Sequence, residues 1–403
     1  MKPLTIALLF WASITLVFAQ ETQLTLDRAL AIARANRPSI QAAQLRVNTA
    51  RMVRRSLGAF PATRLFVGYT NDPAVGGTDD DLVLSQPLDI FGRTAAAKSA
   101  GDAGILKAEA ELQQVVAAMQ AEIVTTYSEA AAAKALAESA KKSLEISQRL
   151  YDAVKTLVDE GRLAGVQLTR VGIEVERSRL TANQRDAEYK ASVERLSGLL
   201  SIPVEQVSVS AFPAMQIELI EANLLQRRRA DLLLLAAEVR AAEAETRIAR
   251  QLSLPELELQ GRRSAWQDSE ARYGARIQLS IPLFDYGRAR SETTAAKLRE
   301  EVAKRDLADA TRLAESELKA AGIELAAAQE QITRYQAILA SARRLVEVSE
   351  VGFTEKAVTL IELLEGTRAL REVEEGYVEA QLRLAKAQSR YLQASGRILE
   401  VRP

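Results

Sequence analysis

The chain has 403 residues, 48% of them hydrophobic, and its 53 Lys and Arg are balanced by 53 Asp and Glu. A sizeable core can be buried, while the balance of charge removes the broad basic field that nucleic acid or an anionic membrane surface would attract. With no His and no Cys, the chain lacks thiol chemistry, Cys/His metal ligands and imidazole bases, so no enzymatic activity, cofactor or metal centre is expected.

Met1-Lys2-Pro3 opens onto an apolar stretch from Leu4 to Phe18 that ends in Val17-Phe18-Ala19, the pattern of a secretory signal peptide over residues 1–19. The alternative, an anchor helix, falls short of the ~20 apolar residues that a span needs. No cysteine is present for N-terminal lipidation. Later in the chain the densest apolar run, Leu232 to Ala237, is short and is followed by Glu238 and Arg240. An exported chain of this kind is either soluble or crosses a membrane as a closed β-barrel.

The remainder reads as two halves, 20–203 and 204–403. Each is expected to contain a helix, a β-hairpin, a long helix and a returning helix. In the first half the alternating segments lie near Thr63 to Thr70 and Asp81 to Gln86, giving a hairpin at about 62–87 whose loop holds Asn71-Asp72-Pro73 and Gly76-Gly77. Residues 88–202 hold no proline and are rich in strong helix formers, so a long helix is expected over about 93–158 and a returning helix over about 165–199. Leu144, Leu150, Val154, Leu157 and Val158 share a stripe, with Lys141, Glu145, Gln148 and Lys155 elsewhere around the helix. At 1.5 Å per residue the segment from Arg93 to Glu160 approaches ~100 Å.

The second half has the same plan: a hairpin at about 255–282, a long helix at about 288–352 and a returning helix at about 358–399. Its last strand alternates best, with Tyr273, Ala275, Ile277, Leu279 and Ile281 on one face and Gly274, Arg276, Gln278 and Ser280 on the other. Residues 262–271 are expected as its loop, and Trp266 and Tyr273 flank the hairpin where a barrel would place interfacial aromatics, or are ordinary surface aromatics. The two halves also repeat in sequence: Leu84-Ser85-Gln86-Pro87-Leu88-Asp89-Ile90-Phe91-Gly92-Arg93 matches Leu279-Ser280-Ile281-Pro282-Leu283-Phe284-Asp285-Tyr286-Gly287-Arg288 at an offset of 195 residues. Pro87, Gly92, Pro282 and Gly287 mark these turns at the strand ends.

Four strands cannot close a membrane barrel, which needs about eight. Several copies would have to pool their hairpins; otherwise the chain is a periplasmic coiled-coil adaptor or scaffold with two exposed hairpins. From Leu24 to Leu399 the sequence resembles the TolC-like outer membrane efflux proteins. The resemblance rests on Leu24-Thr25-Leu26-Asp27-Arg28-Ala29-Leu30 with Asn36-Arg37-Pro38, on Gln86-Pro87-Leu88 and Ile281-Pro282-Leu283-Phe284-Asp285-Tyr286-Gly287-Arg288, and on Leu360-Ile361-Glu362-Leu363-Leu364-Glu365. It implies a mainly α fold with a small β part that trimerises into a 12-stranded β-barrel in outer-membrane lipid and a 12-helix periplasmic tunnel. It also implies docking to a periplasmic adaptor and an inner-membrane pump of the RND or ABC type. Leu168-Thr169-Arg170-Val171 followed by Glu174-Val175-Glu176 looks most like the heavy-metal-efflux branch, although the chain offers no soft-metal ligand set of its own.

The family resemblance places the adaptor-docking tip at the turn around Gly161 and Arg162 and at the equivalent turn around Thr354, Glu355 and Lys356; the alternative is a pair of ordinary turns. Gly161 suits a left-handed helix C-cap, whereas the second turn carries Lys356 at the matching place and Gly352 four residues earlier. Glu362 and Glu365 share a helix face and resemble the family's acidic tunnel entrance, or form a solvated face paired with Arg368. Arg170 and Glu174 have the spacing of an intrahelical ion pair. Arg227-Arg228-Arg229 reads as a solvated helix end.

Overall fold

The structure, a computed structural model, describes residues 24–72, 77–213, 215, 217, 219–266 and 272–397. The signal segment, the loop residues 73–76 and the loop residues 267–271 lie outside it. Two short helices, α1 (Leu26–Asn36) and α2 (Pro38–Leu57), open the described chain. They are divided at Pro38, which occupies the first turn of α2, where its missing N–H costs nothing. Strands β1 (Arg64–Asp72) and β2 (Gly77–Leu88) follow, then α3 (Arg93–Asp159) and α4 (Gly165–Leu200). The second half supplies α5 (Leu225–Arg228), α6 (Ala230–Arg250), β3 (Glu256–Trp266), β4 (Arg272–Ser280), α7 (Arg288–Thr354) and α8 (Leu360–Ser395).

Helices α3 and α7 are each 67 residues long and α4 and α8 each 36. Both pairs begin and end at the same offset of 195 seen in the sequence repeat. At 1.5 Å per residue the long helices extend ~100 Å. Absence of proline permits the length, and small residues permit the packing: nine of the buried positions of α3 are alanines, including Ala103, Ala130, Ala131 and Ala132. Helix α3 is central and packs on α2, α4, α6 and α8, whereas α7 packs on α6 and α8.

Three apolar clusters hold these elements. One joins α1, α3 and α4 around Tyr127, whose hydroxyl donates to the Leu24 carbonyl at 2.8 Å. A second joins α5, α6, α7 and α8 around Leu225, Leu232 and Tyr391. The third, Val154, Val171, Leu360 and Leu364, ties the two helical hairpins together near their turns.

The four strands form one antiparallel sheet in the order β1-β2-β3-β4. Strands β1, β2 and β3 are longer than their alternating segments in the sequence, whereas β4 has the expected length and starts and ends one residue earlier. β3 in particular continues through Arg262 and Arg263, expected as loop, because ladder bonds to β2 and β4 persist where side-chain alternation fades. Likewise α7 runs two residues past Gly352 to Thr354.

Candidate functional site

The sheet has two chemically opposite faces. Leu65, Val67, Tyr69, Leu84, Leu259, Tyr273, Ile277 and Leu279 lie in register on one side and are all exposed, Val67 by 74% and Ile277 by 70%. Opposite them runs a polar network. Ser85 and Gln260 both donate to Glu258, at 2.9 and 3.0 Å, and Arg276 donates to Gln260 at 2.8 Å and to Gln278 at 3.2 Å. Contiguous exposed apolar residues on one sheet face are the kind of surface that a partner or lipid covers. Both edge strands, β1 and β4, lack a neighbour on their outer sides among the described residues. Among the described residues, no helix is long and apolar enough to cross a membrane, and no group of three or more acids could hold a metal ion.

Sheet and long helices meet at the two repeated turns. Pro87 sits beyond the last β1 partner of β2, at Ser85, so its missing N–H leaves no gap in that ladder. Gly92 and Gly287 enter α3 and α7 in left-handed conformations, φ +75° and +84°. Asp89 caps α3 by accepting from the N–H groups of Arg93 and Thr94, both at 2.7 Å; Asp285 accepts from Gly287 and Ala289 at 3.0 and 2.9 Å. Pro282 lies two residues past the end of β4. Tyr273 at the far end of β4 is 79% exposed; the Trp266 side chain lies outside the described residues.

At the other end of the long helices, both turns are Schellman caps. In the first, Gly161 N–H donates to Val158 O at 2.9 Å and Arg162 N–H to Leu157 O at 2.8 Å. In the second, Lys356 N–H donates to Phe353 O at 3.2 Å and Ala357 N–H to Gly352 O at 2.7 Å. Lys356 therefore occupies the left-handed position of Gly161, with φ +61° against +73°. Gly352 serves a different need: a Cβ there would come within 2.5 Å of Val358, so it lets the chain fold back closely. Thr354 and Glu355 close α7, the Thr354 hydroxyl donating to Val351 O at 2.7 Å, and Arg162 pairs with Glu160 at 3.1 Å. A cavity of about 1170 Å³ opens between the two turns, lined by Arg162, Leu163, Gln167, Phe353, Lys356 and Leu363 among others.

Glu362 and Glu365 are both exposed just beyond the second turn. Glu362 forms a capping box: its carboxylate accepts from Thr359 N–H at 2.7 Å and Thr359 Oγ1 at 2.9 Å, while its own N–H donates to Thr359 Oγ1 at 3.3 Å. The backbone hydrogen bond from Thr359 holds this carboxyl below its ordinary value, so it is ionised at neutral pH.

Two ion-pair expectations are corrected. Glu174 does not pair along α4 with Arg170, and Arg368 does not bond Glu365. Instead Glu174 accepts from Arg368 at 2.7 Å and Arg371 at 3.1 Å, both on α8. Burial pushes the Glu174 carboxyl up, but the bonds from the two arginines outweigh it and hold it below the usual value. Its buried neighbours Val171, Val175, Ser178 and Ala182 recur at helical spacing, so a charge on the apolar stripe was the available signal. Arg229 is likewise no solvated helix end: it pairs at 2.7 Å with both Asp231 and Glu317, and the bond from Asp231 leads in raising its pKa.

Comparison with known proteins agrees with this geometry. The model of the family described as "Outer membrane efflux protein" matches residues 29–201 and 222–397, one half of the chain each. The chain is 23% identical over 337 residues to the pyoverdine export outer membrane protein OpmQ of Pseudomonas aeruginosa, covering 79% of this chain and 69% of that one. Its fold is similar to the outer-membrane channel OprN, with TM-score 0.77 and 21% identity over 92% of this chain and 89% of that one. It is also similar to the open state of the MtrE outer membrane channel of Neisseria gonorrhoeae, with TM-score 0.76 and 16% identity over 92% and 88%. The chain belongs to the outer membrane efflux protein family.

Proposed function

We propose that this chain is the outer-membrane exit duct of a tripartite efflux or type I secretion system: a passive homotrimeric channel, coupled to a periplasmic adaptor and an RND or ABC inner-membrane pump. The observation that carries the reading is the four-stranded sheet, apolar and exposed on one face, polar on the other and open at both edges. Three copies supply twelve strands, enough to close a barrel with lipid outside and a polar lumen inside. The long helices continue from β2 and β4 and become the tunnel wall in the periplasm, to which the leader at residues 1–19 directs the chain.

In this reading the turns at Gly161–Arg162 and Thr354–Lys356 meet the adaptor, with the cavity between them as the receiving groove. Glu362 and Glu365, repeated around the axis, line an acidic mouth that favours cations. The chain brings no cofactor and performs no chemistry; the energy and the choice of cargo, heavy-metal ions in the branch that Leu168 to Glu176 resembles, come from the pump. The test is fractionation of cells expressing the full chain. Retention in outer membranes after a high-salt wash, with release only by detergent, is expected. Release by salt alone would replace the duct with a periplasmic coiled-coil scaffold.

A further inference from the structure

The apolar face of the sheet carries one charge. Strand partners share a face, so the ladders sort the outward residues into rows across β1 to β4. Leu65, Leu84, Gly261 and Ala275 form one row, and the next row toward the hairpin loops reads Val67, Leu82, Arg263 and Tyr273. Among the described residues Arg263 is the only charged side chain on this face. The polar residue Gln86, two rows nearer the helices, is satisfied within the chain: it accepts from the Thr63 hydroxyl and donates to the Pro61 carbonyl at 2.9 Å.

Arg263 has no such partner. It is partly buried, and among the described residues it makes no hydrogen bond, ion pair or ring contact. Its cross-strand partners are Leu82, 36% exposed, and Tyr273, 79% exposed, and neither is an anion. The adjacent Arg262 belongs to the polar face and is engaged, as is Arg276, which donates to Gln260 and Gln278. The side chains of Asp80, one row farther toward the loops, and of Asp268 and Glu270 lie outside the described residues.

Position gives the charge a meaning. From Tyr273 to Ile281 is eight residues, ~27 Å along a strand and ~20 Å along the axis of a barrel whose strands tilt ~40°. Leu283 and Phe284, 79% and 83% exposed, extend the apolar surface past that end. Together they match the ~25 Å apolar band of an outer-membrane barrel. Tyr273 and Tyr69, 79% and 70% exposed, stand at the other end, where interfacial aromatics belong. Arg263 therefore lies at the rim of the band on the side away from the long helices. A guanidinium on such a rim keeps its stem against apolar surface and turns its head to the lipid headgroups. There it offers two parallel N–H donors to a phosphate.

We infer that Arg263 holds the phosphate of a lipid headgroup in the outer leaflet. This deepens the proposed duct and rests on it, because a sheet closed into a barrel is what sets this face against lipid. The apolar rows between Arg263 and the helices seat the acyl chains, a contact that inorganic phosphate does not make.

The test is native mass spectrometry of the protein, extracted from membranes in detergent, with bisphosphorylated lipid A or its dephosphorylated form. Wild type should retain the phosphorylated lipid about fivefold more than the dephosphorylated one, the effect of one cation at a membrane surface. Arg263→Gln should bring the two to equal retention, and Arg263→Lys, a point charge without the fork, should fall between. Arg262→Gln, on the opposite face, should retain lipid as wild type does, and excess inorganic phosphate should not displace it. Equal retention of the two lipids by wild type, a loss in Arg262→Gln as large as in Arg263→Gln, or displacement by inorganic phosphate would each overturn the site. In lipid-free detergent Arg263→Gln should melt as wild type does. A lower melting temperature there would assign the arginine to an ion pair with Asp80, Asp268 or Glu270 and also overturn it. Protein that inserts in the outer membrane without a phosphate preference removes the site and leaves the duct standing; protein that is soluble without detergent removes both.

Discussion

The Glu174 carboxylate on α4 and the Arg368 guanidinium on α8 meet at 2.7 Å across 194 residues of sequence. Arg371 adds a second bond at 3.1 Å. Glu174 exposes only 7% of its side chain, so it is held by these partners rather than by water. The contact joins the returning helix of one repeat to that of the other, one to two turns above the apolar cluster of Val154, Val171, Leu360 and Leu364. It is the polar half of the fastening that keeps the two helical hairpins together near their turns.

Removing that carboxylate leaves two arginines facing apolar surface. Glu174→Gln should cost about 1–3 kcal/mol, less than a fully buried pair because Arg368 and Arg371 keep contact with water. Denaturant unfolding of the detergent-solubilised protein measures the loss, and Arg170→Ala, which breaks no pair with Glu174, should leave stability within about 0.5 kcal/mol.

The same group makes the fastening sensitive to acid. A carboxyl held below its ordinary value of 4.5 releases its proton more readily folded than unfolded. Its contribution is complete above that value and is lost as pH falls through the lower folded value. Melting temperature should therefore be insensitive to this group at neutral pH and fall below about pH 4.5, and the wild-type advantage over Glu174→Gln should shrink in the same window.

At the turns the two repeats have solved one backbone problem with different residues. Lys356→Gly should stabilise the protein by about 0.5–1 kcal/mol, because a side chain at φ +61° is strained; Gly161→Ala should destabilise it by about 1 kcal/mol. No neighbour lies within 4 Å of a Cβ built at Gly161, so the effect there is conformational. Thermal melts of the two single variants and the double variant check both signs.

The sheet faces separate membrane insertion from folding. Ile277→Arg, on the apolar face, should impair recovery from the outer-membrane fraction at a cost of about 2–4 kcal/mol if the position lies near the bilayer midplane. Gln278→Arg, one residue on and pointing to the opposite face, should insert as wild type. Equal loss in both would show that the apolar face does not meet lipid.

Much of this architecture is legible in the sequence because it is local or repeated. Proline-free stretches rich in alanine, glutamate and leucine mark α3 and α7, and the matched turns at Pro87 and Pro282 announce the duplication that the helices obey residue by residue. The alternating residues from Tyr273 to Ile281 mark β4 and its oily side. Strand ends are less legible, since Arg262 and Arg263 are held in β3 by ladders on both sides and not by side-chain pattern. Least legible are pairs that fold brings together from afar. Glu174 with Arg368 and Arg229 with Glu317 span 194 and 88 residues, and the nearer candidate, Arg170 for Glu174, was the wrong one. The second turn is legible as a segment because the offset sets Lys356 against Gly161, but a lysine gives no signal of a left-handed cap, which only the backbone angle shows.

The most direct measurement is single-channel conductance of the detergent-purified protein in planar bilayers, for wild type and for Glu362→Ala with Glu365→Ala. Discrete cation-selective openings, with selectivity reduced in the double variant, are the predicted result for a duct with an acidic mouth. Openings indifferent to the double change would remove the mouth from these two carboxylates. Protein that never inserts and stays soluble without detergent would contradict the duct itself.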